Sequence, residues 1–331
     1  DPTHAPDRFG LRQRITSPSP GVLMLRTSLL FLVLGSLAAS IASAEDGAPT
    51  LKSIGSGVPD RTFEGGTVDA EYGHSLANAG DLNGDGYDDL LVGSPGSDLN
   101  AVNAGAAFLY FGSAEGFEAT PDWQVAAAQA GARYGSAVAG VGDVNGDGYG
   151  DFVVGAEFAD NGQTDEGLGY LYFGGPTIST TSSAVLQTNQ NASYLGGSVA
   201  GAGDVNGDGY ADILIGGIGH DGGATNSGVA LIYFGGASFD TTADANLTSS
   251  QASARMGSSV AGVGDVNGDG YADVVIGAME YDQGQTNEGA AFLYLGGAGA
   301  FDIGTDAHLQ NDQANAALGS AVAAGGDVNG D

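Results

Sequence analysis

Hydrophobic residues in this chain come in short alternating or continuous runs, each cut off by glycine and polar residues, and the same order of runs returns along the sequence. A typical unit opens on an alternating segment such as Tyr134-Gly-Ser-Ala-Val-Ala-Gly-Val-Gly142, which reads as a strand with small residues where neighbours approach closely. An acidic nonapeptide follows, then a short apolar run: Leu90-Leu-Val92, Phe152-Val-Val154, Ile213-Leu-Ile215 and Val274-Val-Ile276 in successive copies. The nonapeptide therefore joins two strands. A polar, Gly-bearing turn (Asn103-Ala-Gly105, Asp165-Glu-Gly167, Asn226-Ser-Gly228, Asn287-Glu-Gly289) leads into a third strand, 106–111, 168–173, 229–234 or 290–295. The aromatic content of these third strands suits a half-buried pleated surface. A looser stretch, exemplified by Ala184-Val-Leu-Gln187, supplies a fourth, outer strand.

The units keep a fixed period. First aspartates of the nonapeptides stand at 81, 143, 204, 265 and 327, so the spacing is 62, 61, 61 and 62 residues, the mark of a repeat architecture. Four strands per unit is the content of a propeller blade, somewhat longer than the roughly 40 to 50 residues of common blades. The predicted fold is all-β, an incomplete β-propeller of four-stranded blades with about four and a third blades present. The expected division is blade 1 at 66–127, blade 2 at 128–188, blade 3 at 189–249, blade 4 at 250–311 and a truncated blade 5 at 312–331. Residues 45–65 can supply an outer strand to a closing blade. Because the sequence stops inside the fifth nonapeptide, it reads as part of a longer gene product.

The nonapeptides carry the candidate chemistry. They read Asp81-Leu-Asn83-Gly-Asp85-Gly-Tyr87-Asp-Asp89, Asp143-Val-Asn145-Gly-Asp147-Gly-Tyr149-Gly-Asp151, Asp204-Val-Asn206-Gly-Asp208-Gly-Tyr210-Ala-Asp212 and Asp265-Val-Asn267-Gly-Asp269-Gly-Tyr271-Ala-Asp273, with an incomplete copy Asp327-Val-Asn329-Gly-Asp331. Oxygen-bearing side chains at positions 1, 3, 5 and 9, with glycine at 6 for a sharp turn, are what a hard cation requires of one short loop, and the expected cation is calcium. Three carboxylates per loop repel one another without a counter-charge, which bound cations relieve. An EF-hand is excluded, since its twelfth loop residue is a bidentate Glu whereas here it is Val92, Val154, Ile215 or Ile276, inside an apolar run.

Composition narrows the function further. The formal charge is −32 and there are eight Lys and Arg residues, four of them (Arg8, Arg12, Arg14, Arg26) ahead of the expected mature start. Lys52, Arg61, Arg133 and Arg255 are too few to neutralise phosphates, so no nucleic-acid partner is expected, nor an anionic membrane surface. Cysteine is absent, which removes disulfides, thiolate metal sites and a cysteine nucleophile. Residues 24–44 read as a signal peptide: Met24-Leu-Arg26, an apolar stretch from 29 to 39, then the small-x-small Ala42-Ser43-Ala44, with cleavage before Glu45. The apolar run falls short of the ~20 residues that span a bilayer, so the mature segment is expected to be secreted, periplasmic or at the cell surface and not membrane-inserted. Residues 1–23 suit no folded element and read as a spurious extension. His74, His220 and His308 recur in no common repeat position, and Ser75, Ser136, Ser198 and Ser258, near the starts of the first strands, are expected to hydrogen-bond within the sheet, so no catalytic residue is assigned.

With these residues in place, the chain resembles the FG-GAP repeats of the integrin alpha-chain amino-terminal β-propeller and their bacterial relatives, over residues 66 to 331. The aromatic or apolar residue plus Gly appears as Tyr72-Gly73, Tyr134-Gly135, Leu195-Gly196, Met256-Gly257 and Leu318-Gly319; the second element appears as Gly93-Ser-Pro95, Gly155-Ala156, Gly216-Gly217 and Gly277-Ala278. Only the first copy keeps the proline. The resemblance implies one calcium ion per complete loop, four in all. It implies side-chain oxygens from Asp81, Asn83, Asp85 and Asp89 and the backbone carbonyl of Tyr87, with matching roles for Asp143, Asn145, Asp147, Tyr149 and Asp151; Asp204, Asn206, Asp208, Tyr210 and Asp212; and Asp265, Asn267, Asp269, Tyr271 and Asp273. Asp327, Asn329 and Asp331 form half a site. The implied function is a binding or adhesion scaffold for an extracellular protein or glycan; the alternative is the non-catalytic propeller of a secreted hydrolase or lyase whose catalytic residues lie elsewhere.

Overall fold

The computed structural model describes residues 62–63 and 69–326. The expected signal peptide, residues 45–61 and the half-loop of Asp327, Asn329 and Asp331 lie outside the described residues. Sixteen strands form four sheets of four, and no helix occurs among the described residues. Blade 1 comprises β1 (Ser75–Gly80), β2 (Asp89–Ser94), β3 (Ala106–Tyr110) and β4 (Trp123–Ala126). Blade 2 comprises β5 (Tyr134–Gly142), β6 (Asp151–Ala156), β7 (Leu168–Tyr172) and β8 (Ala184–Leu186). In blade 3 they are β9 (Leu195–Gly203), β10 (Asp212–Gly217), β11 (Val229–Tyr233) and β12 (Ala245–Thr248). Blade 4 holds β13 (Met256–Gly264), β14 (Asp273–Ala278), β15 (Ala290–Tyr294) and β16 (Ala307–Leu309). Each sheet is an antiparallel meander in chain order, so the all-β, incomplete-propeller expectation is met.

Side-chain alternation decides how the blades stack. On β2, Leu91 points toward blade 2, where it joins Leu82, Leu109 and Trp123 against Phe152, Val154 and Tyr172 in one buried cluster. Between blades 2 and 3 the same positions recur as Val144, Val153, Leu171 and Leu186 against Ile213, Ile215 and Tyr233. Val205, Leu214, Ile232 and Leu247 then meet Val274, Ile276 and Tyr294. The core is thus a series of sheet-on-sheet layers, each made by one face of a blade and the opposite face of the next. Trp123 shows the packing: it is 5% exposed, edge-on to Phe152 and Tyr172 with centroids 5.2 and 5.1 Å away, and its Nε1 donates to the Ser179 carbonyl at 3.0 Å.

Two devices join blades through the backbone. The first residue of the FG pair donates its N–H to the turn before the preceding third strand: Tyr134 to Ala104, Leu195 to Glu166, Met256 to Ser227 and Leu318 to Glu288, at 2.9 to 3.0 Å. The second corrects an expectation. Ser75, Ser136, Ser198 and Ser258 reach beyond their own sheets: their hydroxyls donate to the carbonyls of Gly135, Gly196, Gly257 and Gly319 in the following unit, at 2.9, 3.3, 2.8 and 3.1 Å, and Ser136 Oγ also accepts the Glu157 N–H of its own blade at 3.4 Å. The reason is steric: β2, β6, β10 and β14 each carry a glycine (Gly93, Gly155, Gly216, Gly277) where the next unit's carbonyl presses in, leaving that oxygen within reach of the serine.

Candidate functional site

Each acidic nonapeptide is the hairpin between the first and second strands of a blade, so four of them lie at one end of the sheets. The strand register shifts just ahead of each loop, at Gly80, Gly142, Gly203 and Gly264, all with φ between 72° and 80°, a conformation that glycine adopts without a Cβ penalty.

Inside the loop the polar side chains fold the backbone around themselves. Asp81 Oδ1 accepts the N–H groups of Gly84 (2.7 Å) and Asp85 (3.0 Å), and its Oδ2 accepts that of Gly86 (2.8 Å). Asn83 Oδ1 accepts from Asp85 N at 2.8 Å while its Nδ2 donates to Asp85 Oδ2 at 2.9 Å, and Asp85 Oδ1 accepts from Tyr87 N at 3.0 Å. The same bonds recur on Asp143, Asn145 and Asp147, on Asp204, Asn206 and Asp208, and on Asp265, Asn267 and Asp269, within 0.1 Å of these lengths. These Asx-type turns explain why Asp and Asn occupy positions 1, 3 and 5. Main-chain donors, Gly270 first, hold the exposed Asp265 carboxyl below its usual range.

The ninth residue behaves differently. Asp89, Asp151, Asp212 and Asp273 are buried, at most 1% exposed. One oxygen of each accepts the N–H of loop position 2 (Leu82, Val144, Val205, Val266), at 2.9, 2.8, 2.8 and 2.7 Å. The other accepts from Gly112, Gly174, Gly235 or Gly296, just beyond the third strand, at 2.8 to 2.9 Å. Burial pushes the Asp89 carboxyl up to about 6 and those of Asp151 and Asp212 to about 7; the neighbouring first and fifth aspartates add to the rise, and the two amide donors oppose it. Sequence reasoning missed the four glycines that hold these aspartates; their signal is the aromatic or Leu residue plus Gly closing each third strand, 23 residues after the aspartate.

The structure brings positions 1, 3 and 5 of each loop together at the surface and sets position 9 beneath them. Among the described residues, no three His, Cys, Asp or Glu side chains converge closely enough to hold a metal ion by themselves. The donor set is nonetheless oxygen-only, carboxylates plus an amide, and the Asp81 and Asp85 charges reach Asp89, so the chemistry fits a hard divalent cation and not zinc. His74, His220 and His308 lie in blades 1, 3 and 4. Ser193 Oγ is 3.4 Å from His220 Nδ1, but that serine is fully buried.

The FG-GAP repeat model matches residues 72–110, 134–172 and 256–294, each running from the FG pair to the end of a third strand. These three segments are FG-GAP repeats. Blade 3, whose Leu195-Gly196 and Gly216-Gly217 depart far from the name-giving residues, lies outside the matched segments but has the same sheet order. Over 169 residues, 48% of its length, the chain is 32% identical to integrin alpha-5 of Xenopus laevis. It is 34% identical to integrin alpha-V of Gallus gallus over 172 residues, again 48% of the chain. A third relative is phosphatidylinositol-glycan-specific phospholipase D of Bos taurus, 32% identical over 178 residues and half of the chain. These matches cover 16%, 16% and 21% of the relatives' own lengths.

Proposed function

We propose that this FG-GAP chain is a secreted or surface-exposed, calcium-binding scaffold for an extracellular protein or glycan. The observation that carries the reading is the fourfold repetition of one loop geometry: Asp81, Asn83 and Asp85 and their counterparts present oxygens outward while Asp89 and its counterparts close the loop from below. Tyr87, Tyr149, Tyr210 and Tyr271 would add backbone carbonyls. Bound calcium supplies positive charge that offsets the three carboxylates per loop and cross-links the hairpin. Within the protein, the buried aspartate couples that loop to the strand end at Gly112 and its equivalents, so loop order reaches the sheet. Extracellular calcium modules commonly work near 10⁻⁴ to 10⁻³ M, which suits stabilisation by ambient metal.

Calcium added to the metal-stripped chain should raise its melting temperature in a concentration-dependent way, by about 2.7 kcal/mol of stability for each site at 100 times its Kd. Asp147→Ala should lower the calorimetric stoichiometry by one. No thermal response and no binding heat in the wild type would refute the calcium assignment. A second reading, the non-catalytic propeller of a secreted hydrolase or lyase, is supported by the phospholipase D relative. Phospholipase assays on the chain itself should give no turnover under either reading; turnover would place a catalytic site within it.

A further inference from the structure

Consecutive loops are not separate. The N–H of loop position 8 donates to the main-chain carbonyl of the first aspartate of the preceding loop: Gly150 to Asp81 at 3.4 Å, Ala211 to Asp143 at 3.0 Å and Ala272 to Asp204 at 2.9 Å. Beside it, Gly175, Gly236 and Gly297 donate to the carbonyls of Leu82, Val144 and Val205 at 2.7, 2.8 and 2.9 Å. A third contact uses side chains. The Tyr149 ring of blade 2 lies over Gly84 of blade 1, where a methyl group would stand 2.5 Å from Tyr149 Cε1; Tyr210 covers Gly146 and Tyr271 covers Gly207 still more closely. The two ends of the row lack the contact. Tyr87, with no described loop before it, is 44% exposed, and a methyl on Gly268, with no described loop after it, would meet nothing within 4 Å.

The ring therefore rests on the fourth residue of the loop before it, next to the aspartate whose carboxylate gathers that loop's amides. Ordering one loop removes part of the conformational freedom its neighbour would otherwise lose on ordering, which is coupling without any change of fold. We propose that the side chains of Tyr149, Tyr210 and Tyr271 are positioning residues for the cation loop of the preceding blade, so that adjacent loops take up divalent cations cooperatively. This rests on the calcium reading of the loops.

The test uses the full chain, calcium as the ligand, and the variants Tyr210→Ala and Tyr210→Phe, both of which retain the backbone carbonyl. Hydrogen exchange without calcium comes first. In Tyr210→Ala, exchange at the amides of Gly146, Asp147 and Gly148 should quicken while the amides of 268–270 stay unchanged, and Tyr210→Phe should match the wild type. Equal exchange in all three proteins overturns the positioning role whether or not calcium binds. Calcium titration comes second. The wild-type Hill coefficient should exceed 1, and Tyr210→Ala should keep the stoichiometry but weaken one site by about tenfold, within the roughly 5- to 150-fold typical of coupled sites. A wild-type Hill coefficient of 1, or a Tyr210→Ala isotherm that overlays the wild type, overturns cooperative uptake. No calcium bound by the wild type sinks the calcium reading and the cooperative uptake with it, while the exchange result still decides the role of the ring.

Discussion

Asp89, Asp151 and Asp212, the ninth aspartates of the first three loops, do two jobs that pull their protonation state in opposite directions. Buried and facing two other aspartates, Asp151 and Asp212 hold their protons to about pH 7 and Asp89 to about 6, against 3.8 as the ordinary value. Because the folded pKa lies above the unfolded one, the unfolded chain gives up these protons first as pH rises. The stabilisation that the protonated folded form enjoys below about pH 4 is therefore lost between about pH 4 and 7. In calcium-free buffer the melting temperature should fall across that window. Calcium selects the ionised form, so its stabilising effect should grow over the same range. Asp151→Asn should flatten part of the slope and cost about 1–3 kcal/mol, since an amide NH₂ would then face a main-chain N–H. Melting curves at pH 4, 5.5 and 7.5, with and without calcium, check this; a flat metal-free profile would show that the buried carboxyls ionise freely.

At the scale of the strand, the FG and GAP residues make the joints between blades. Gly93 of β2 has Ser75 Oγ and the Gly135 carbonyl where a side chain would stand, so neither conformation nor solvent exposure explains the glycine; the approach of the next blade does. Gly93→Ala should cost about 1–3 kcal/mol as an overpacked contact. It should also shift the emission of Trp123, the only tryptophan, which docks from blade 1 onto Phe152 and Tyr172 of blade 2. An unshifted spectrum and unchanged denaturation midpoint would mean that the joint yields easily. Most strands were legible in the sequence because each is a short alternating or continuous apolar run cut off by glycine and polar residues; Tyr134–Gly142 was placed to the residue. The place of each acidic loop between two strands was equally legible. What was not legible crosses between elements: the glycine N–H groups that hold Asp89 and its counterparts, the serine hydroxyls reaching the next unit, and the tyrosine rings over neighbouring glycines. Those contacts depend on the angle between sheets, which no spacing along one strand encodes.

Across the described residues, one rule generates every interface between blades, and it also picks out the matching face of blade 4. Ala202, Val205, Leu214, Ile232 and Leu247 of blade 3 are each no more than 4% exposed because blade 4 covers them. Their counterparts one unit on, Val263, Val266, Val275, Leu293 and Leu309, line a shared apolar hollow, and Val266 and Leu309 are 53% and 68% exposed. Of the following unit, the described residues contribute the Leu318-Gly319 pair and the short segment after it, tied by Leu318 N to the Glu288 carbonyl at 2.9 Å and by Val322 N to Ser259 Oγ at 3.0 Å. That leaves the hollow open among the described residues. In a protein cut to the described residues, this contiguous apolar patch should bind a hydrophobic dye, and it should do so in folded protein, where the three buried layers are sealed. The double substitution Val266→Asp, Leu309→Asp should abolish most of that dye signal while changing stability by no more than about 0.5 kcal/mol, the usual limit for exposed positions. Dye binding that survives the double substitution would locate the accessible apolar surface elsewhere, and a large loss of stability would show that these two side chains are already covered.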